Sequence, residues 1–350
     1  MTQPSVLRII DANLNRASEG LRFLEEIARF ILNDAELSQK LKNIRHELVS
    51  ADLMYNKELL LARDAEGDVG ADITAPGQEE TKELSVLAIA NSRRVQEALR
   101  VLEEIAKVKG IPLTLSSEKY ERARFSVYTL EQEIVFKLLR QEKLKFIKGL
   151  YAIIDTEALK GRPHAALTRE VIRGGARVIQ LRDKVSTRQE LYPIAGEVRK
   201  ICADAGVLFI VNDYLDLALA VGADGLHIGQ TDLPLSEARR LLPPDKILGI
   251  STQTVAQAIQ AEKDGADYIG AGAVFPTTSK QNATVSGLTR LAEIRKAVKL
   301  PVVAIGGITL QNVGEVIAAG ADSAAVISAI LGAPSPEEAA HQFVAKFKSK

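Results

Sequence analysis

The chain has 350 residues, 45 Lys+Arg against 45 Asp+Glu, 46% hydrophobic residues and 26% charged ones; this suggests about two globular domains with ample core material. Zero net charge argues against a broad polyanion-binding surface, and the lack of Trp with only 5% aromatic residues argues against a base-stacking nucleic-acid reader. The single cysteine, Cys202, excludes an intrachain disulfide and argues against a cysteine metal cluster.

The opening MTQPSVLRIIDANLNRASEG has no charged start followed by a long apolar run. No stretch reaches the roughly 18 uncharged apolar residues of a membrane helix, so a cytoplasmic protein without membrane association is expected. Residues 1–145 read as an all-α domain. Leu21, Leu24, Ile27 and Ala28 recur at helical spacing, as do Leu99, Leu102, Ile105 and Ala106. The segment from Asn13 to Ala28 lines up with that from Asn91 to Ala106, and Lys40 and Arg45 are echoed by Lys119 and Arg124. This internal repeat is too long for a common solenoid unit, so two similar helical hairpins about a pseudo-twofold axis are predicted. Between the copies, Arg63–Glu83 is rich in acid, Gly and Pro and reads as a long loop of the kind that often carries function.

Residues 146–350 follow a different pattern. Eight short apolar runs (LYAIID, ARVIQL, VLFIVN, ADGLHIG, KILGIS, ADYIGAGAV, PVVAIGG and ADSAAVI) alternate with helical stretches. Such alternation predicts parallel βαβ units closing into a (β/α)8 TIM barrel. The charged segment Arg140–Gly149 is the expected junction, the end of a helix rather than a floppy linker.

A barrel of this class works at the C-terminal ends of its strands. After the second strand, alternation puts Gln180, Arg182 and Lys184 on one side, a suitable clamp for a diphosphate; the alternative is a surface salt-bridge cluster. Asn212 and Asp213 end the third strand, and Asp232 follows the fourth. Two carboxylates beside such a clamp suit a Mg2+ ion, though each could instead be a helix N-cap. His227 reads as a hydrogen-bonded packing residue. Ser251 ends the fifth strand, and Thr277, Thr278, Ser279 and Lys280 end the sixth; their hydroxyls and ammonium suit phosphate oxygens, with ordinary turn and cap chemistry as the alternative. The seventh strand ends in Gly306-Gly307 and the eighth in Ile327-Ser328, where barrels of this class often bind a monophosphate through backbone N–H groups. Covalent catalysis is not favoured, because no Ser-His-Asp or Cys-His pairing is visible.

Taken together, Gln180-x-Arg182-x-Lys184, Asn212-Asp213, His227-x-Gly229-Gln230-x-Asp232, Gly249-Ile250-Ser251, Pro276-Thr277-x-Ser279-Lys280, Gly306-Gly307-Ile308 and Ile327-Ser328 resemble the thiamine-phosphate synthase family. The resemblance implies condensation of a hydroxymethylpyrimidine diphosphate with a thiazole phosphate, releasing pyrophosphate. It implies that Gln180, Arg182, Lys184, Asn212, Ser251 and Lys280 bind the pyrimidine diphosphate. Mg2+ would sit on Asp213 and Asp232, and Thr277, Thr278, Ser279, Gly307, Ile327 and Ser328 would receive the thiazole phosphate. Lys184, Arg182 and Ser251 are the implied catalytic residues. Ser279 stands where the family pattern has Thr and keeps the hydroxyl. A thiazole tautomerase-like barrel with a non-catalytic regulatory or dimerisation domain is the rival. Residues 1–145 resemble the helical domain fused ahead of some bacterial synthases, which implies a pyrimidine-phosphate kinase; no Gly-rich nucleotide loop is present there. For that role Arg63, Asp64 and Asp68 are candidates for nucleotide-Mg2+. Arg16, Glu19, Arg22, Arg94, Glu97 and Arg100 are candidates either for an anion site or for plain ion pairs along exposed helices. The expected partners are small molecules, not nucleic acid, and a homo-oligomer is compatible with the sequence.

Overall fold

The computed structural model describes residues 3–48, 57–63, 83–109, 113, 115–277 and 285–348. The chain forms two compact units, Met1–Leu139 and Arg140–Lys350. Among the described residues no helix is long and apolar enough to cross a membrane.

The first unit is helical: α1 (Gln3–Glu26), a π-helical stretch (Ile27–Ile31), α2 (Ala35–Leu48), α3 (Lys57–Leu61), α4 (Leu84–Ile105) and α5 (Ser117–Leu144), the last turn of which belongs to the second unit. The repeated segments are α1 and α4. Leu14, Ala17, Leu21 and Leu24 of α1 are buried with Val95, Leu99 and Leu102 of α4, each set at three- or four-residue spacing. Gly20 lets the two helices approach closely, since a Cβ there would overlap the Val95 side chain and lie 3.1 Å from the Asn91 carbonyl. The repeat also carries matching half-buried ion pairs, Arg45 Nη2 to Glu25 and Arg124 Nη2 to Glu103, each at 3.0 Å. Arg16, Glu19, Arg22, Arg94, Glu97 and Arg100 are all exposed. Arg22 pairs with Glu26 at 3.0 Å, and Arg100 with Glu103 at 2.7 Å and Glu104 at 2.9 Å. These two arginines thus make ion pairs along their own helices. Arg63 holds Asp11 through two bonds of 2.7 and 3.0 Å. Asp64 and Asp68 lie outside the described residues.

The second unit is the predicted TIM barrel. Its strands are β1 (Gly149–Asp155), β2 (Val178–Arg182), β3 (Leu208–Asn212), β4 (Gly225–Ile228), β5 (Ile247–Thr252), β6 (Tyr268–Gly272), β7 (Val302–Ile305) and β8 (Ser323–Val326). They pair in parallel and in sequence order, and β8 closes onto β1. Helices α6 (His164–Arg173), α7 (Arg188–Asp204), α8 (Leu215–Ala220), α9 (Leu235–Leu241), α10 (Val255–Lys263), α11 (Gly287–Ala297) and α12 (Val313–Ala318) make the crossovers; α13 (Ser328–Leu331) and α14 (Pro336–Lys348) follow β8.

Two-residue alternation divides each strand between two cores. Leu150, Ala152, Ile154, Ile179, Leu181, Phe209 and Val211 face the helix layer. Tyr151, Ile153, Val178, Leu208, Ile210, Ile247, Tyr268, Val303 and Ala325 fill the barrel interior, with Ile147. At the opposite end from the strand termini, one device recurs three times. Asp224, Asp267 and Asp322 stand just before β4, β6 and β8. Each accepts the N–H of the first or second residue of the preceding strand, Phe209 at 3.0 Å, Leu248 at 2.8 Å and Val302 at 2.8 Å. Each also meets an arginine from a crossover helix: Arg199 at 3.5 Å, Arg239 at 3.1 Å and Arg295 at 2.8 Å.

Candidate active site

Above this apolar interior the inward positions of β2 to β5 turn polar, at Gln180, Arg182, Asn212, His227 and Ser251. They open into a cavity of about 510 Å3 lined by Gln180, Arg182, Lys184, Asn212, Asp213, Asp232, Ser251, Thr277, Gly307, Ile327 and Ser328, among others. Every candidate residue of the barrel that the structure describes therefore meets at one cavity. Thr278, Ser279 and Lys280 lie outside the described residues.

The two cations of the clamp are each held by a carboxylate. Arg182 pairs with Asp155, which faces it across the β1–β2 register. Lys184 pairs with Asp213 at the end of β3. The surface-cluster alternative fails for Arg182, whose side chain is largely buried within the cavity wall. Asp213 is not an N-cap, because Tyr214 precedes α8 in that position. Its φ of +62° is a left-handed conformation that Asp and Asn tolerate better than other non-glycine residues. Burial pushes the Asp213 carboxyl up, as does the neighbouring Asp232, while Lys184 pulls it down. Asp232 accepts the Gly229 N–H at 2.7 Å, which curls the β4 loop toward Asp213. Among the described residues no group of three or more His, Cys, Asp or Glu could hold a metal ion. Two carboxylates open to a cavity nevertheless fit a Mg2+ ion that completes its shell with phosphate oxygens and water.

A hydrogen-bonded chain runs across the cavity floor. Gln180 Nε2 donates to the Tyr151 hydroxyl at 2.9 Å, and the Tyr151 and Tyr268 hydroxyls are 2.9 Å apart. His227 joins them, with Nδ1 3.0 Å from the Tyr268 hydroxyl and Nε2 2.9 Å from Ser251 Oγ. Burial raises both tyrosine hydroxyls far above their ordinary value, so they stay protonated. Each hydroxyl has one proton to give. Because Gln180 donates into Tyr151, one ordering uses every donor along the chain: Tyr151 to Tyr268, Tyr268 to Nδ1, and Nε2–H to Ser251. This leaves the Ser251 hydroxyl proton for the cavity. His227 is hydrogen-bonded as expected, but it is only half-buried and lines the cavity, and through Tyr268 and Tyr151 it connects Ser251 to Gln180.

On the far side, Gly306 (φ +101°) and Gly307 (φ +63°) turn the β7 loop back over the cavity. A Cβ on Gly306 would lie 2.7 Å from Ala273 Cα, and one on Gly307 2.8 Å from Phe275 Cβ, so only glycine fits. Asn312 braces this loop by donating to the Gly307 carbonyl at 2.9 Å and accepting from Thr309 N at 2.8 Å.

Sequence reasoning missed Asp155, Tyr151 and Tyr268. Asp155 obeys the same strand-end rule that found the others. The tyrosines sit inside apolar runs, where a hydroxyl gives no signal until its cross-barrel partner is known.

A family model described as thiamine monophosphate synthase matches residues 150–330, and one described as the ThiD2 family matches residues 8–133. The thiamine-phosphate synthase of Nostoc sp. is 38% identical over 95% of this chain and 92% of its own length. That of Synechocystis sp. is 39% identical over 97% and 96%, and that of Gloeobacter violaceus 40% identical over 95% and 94%. A solved thiamine phosphate pyrophosphorylase from Pyrococcus furiosus superposes with a TM-score of 0.55 at 40% identity, covering 59% of this chain and 98% of that one. With the barrel, the cavity and these relatives in agreement, the chain belongs to the thiamine-phosphate synthase family.

Proposed function

We propose that the barrel joins a hydroxymethylpyrimidine diphosphate to a thiazole phosphate, forming thiamine phosphate and pyrophosphate. One observation carries the assignment of roles: Arg182, Lys184, Asp213 and Asp232 share a cavity with the Gly306-Gly307 turn. The first four form a cationic and carboxylate-lined half suited to a diphosphate, and the turn offers a second, uncharged half suited to a monophosphate.

In this reading Arg182 and Lys184 bind the diphosphate oxygens and stabilise the charge that develops as pyrophosphate leaves. Asp213 and Asp232 would hold Mg2+, which when bound supplies further charge neutralisation at the leaving group. Asp155 keeps Arg182 directed along the wall, so little reorientation is needed on binding. Gln180 and the Ser251 hydroxyl, fixed by the floor chain, orient the pyrimidine, with Asn212 beside them. Gly307, Ile327, Ser328 and Thr277 receive the thiazole phosphate, together with Thr278 and Ser279, while Lys280 joins the ligands of the pyrimidine diphosphate. Carbon–nitrogen bond formation needs no protein base, since the attacking thiazole nitrogen carries no proton. A tautomerase would use the glycine turn but would have no use for the Lys184–Asp213 pair.

The helical unit is proposed to phosphorylate the pyrimidine monophosphate, so that one chain makes the diphosphate and consumes it. The match of residues 8–133 to the ThiD2 family supports a distinct role for that unit.

The test is incubation of the full chain with thiazole phosphate and Mg2+, supplied either with the pyrimidine diphosphate or with the monophosphate plus ATP. Product in both supports both activities. Product from the diphosphate alone removes the kinase proposal, and none in either removes the barrel reading. Lys184→Ala and Asp213→Ala are each expected to lower turnover of the diphosphate by at least about a hundredfold, with the fold retained by circular dichroism. Wild-type turnover in either would take that residue out of the mechanism.

A further inference from the structure

The turn that carries Lys184 is anchored by a carboxylate that does not reach the cavity. Asp183 is 2% exposed. The alternation that turns Arg182 and Lys184 inward turns Asp183 away, and it is not part of the cavity wall. Its oxygens accept four hydrogen bonds: Thr156 Oγ1 at 2.6 Å, Ser186 Oγ at 2.8 Å, Ser186 N at 2.7 Å and Val185 N at 2.8 Å. A carboxylate has about four lone-pair sites, so these four neutral donors fill it. Thr156 belongs to the loop after β1, and Val185 and Ser186 to the loop after β2. The Thr156 proton goes to Asp183, so its oxygen accepts from His164 Nε2, 2.9 Å away at the start of α6. Burial lowers the His164 pKa, which favours the neutral ring, and the accepting Thr156 oxygen selects the tautomer protonated at Nε2. Immediately after Ser186, the Thr187–Glu190 capping box starts α7. Three segments are thereby fixed around one side chain.

We infer that Asp183 is a positioning residue for the diphosphate: by holding the Val185 and Ser186 amides it sets the backbone at Lys184 and the line along which Nζ enters the cavity. The inference rests on Lys184 being a diphosphate ligand, as proposed above. Arg182 is held directly by Asp155, whereas the amides that Asp183 holds follow Lys184, so its loss falls chiefly on Lys184. Asparagine substitutes poorly: with its single oxygen on the Val185 and Ser186 amides, its NH2 faces the Thr156 and Ser186 hydroxyls, which must turn from donors into acceptors, and Thr156 already accepts from His164.

The experiment is calorimetric titration of magnesium pyrophosphate into the full chain, as wild type, Asp183→Asn, Lys184→Ala and the double variant. Asp183→Asn should weaken binding about tenfold, and the double variant should bind no more weakly than Lys184→Ala alone, the signature of one residue acting through the other. In steady-state assays Asp183→Asn should lower kcat about tenfold and leave the KM for thiazole phosphate unchanged. Wild-type pyrophosphate affinity in Asp183→Asn, or losses that simply add in the double variant, would overturn the inference while the role of Lys184 stands. Wild-type affinity in Lys184→Ala would remove the diphosphate reading and this inference with it. Thr156→Val keeps the carboxylate and deletes one donor. It should show a smaller loss with the same non-additivity toward Lys184→Ala, and it decides the matter if Asp183→Asn does not fold; wild-type affinity in Thr156→Val would then count against the inference.

Discussion

Gly249 shows how one absent side chain shapes the cavity floor. A Cβ there would fall within the Tyr268 ring. Gly249→Ala is therefore expected to push Tyr268 off its bonds to Tyr151 and His227, destabilising the barrel by about 2 kcal/mol and lowering turnover; thermal unfolding and kcat measure the two effects. Asp183 makes a second prediction, through pH. Its pKa is lowered: burial opposes ionisation, but the Thr156 hydroxyl and the Ser186 and Val185 donors outweigh it. Its stabilising contribution is therefore complete above the unfolded value of about 3.9 and is lost as pH falls through the lower folded value. Urea midpoints should show the gap between wild type and Asp183→Asn narrowing on that acid limb; a gap that does not change with pH would contradict the assignment. At this scale the sequence was informative where chemistry and alternation coincide. Gln180, Arg182 and Lys184 were legible because they are polar and two residues apart at a strand end. Tyr151 and Tyr268 were not, since their pairing links β1 to β6 across the barrel and no local pattern records it.

Among the elements, the Asp–Arg device below the strands recurs at Gly222-Ala223-Asp224, Gly265-Ala266-Asp267 and Gly320-Ala321-Asp322. The fourth such site, before β2, is Gly175-Ala176-Arg177, and there Arg177 stacks on Phe146 instead, with its guanidinium 4.9 Å from the ring centroid. Asp267 is the most enclosed of the three. Burial raises its carboxyl pKa and lowers that of Arg239, so each charge depends on the other. Asp267→Ala should cost about 3 kcal/mol by leaving Arg239 unpaired. Asp322→Ala should cost less, because the Asp322 side chain is 32% exposed against 11% for Asp267. Equal losses in chemical denaturation would show that burial does not set the strength of these pairs. The three Gly-Ala-Asp triplets are visible in the sequence. Their arginines are not, because each comes from a helix whose angle on the barrel only the folded sheet defines.

Each unit has its own packing, one core among the described residues of the helical unit and two in the barrel, inside and outside the sheet. Leu99 is fully buried in the helical one, and Leu99→Ala should cost about 3 kcal/mol there while synthase turnover from supplied diphosphate stays at the wild-type level. A matching fall in that turnover would mean that the barrel depends on the helical core. The change in pattern from helical spacing to eight alternating runs made both architectures legible, because each period reports its own element. The helical unit's chemistry was less legible. Charged residues three apart occupy one face whether that face binds a ligand or only water, and Arg22 and Arg100 are engaged by their own helices. The closed ring of eight strands has one further consequence. It leaves no unpaired edge to template another chain, so any self-association must proceed through helices or loops unless the ring first opens. Slow amide exchange should accordingly extend around the whole circumference, with no strand exchanging early as an outer strand of an open sheet would.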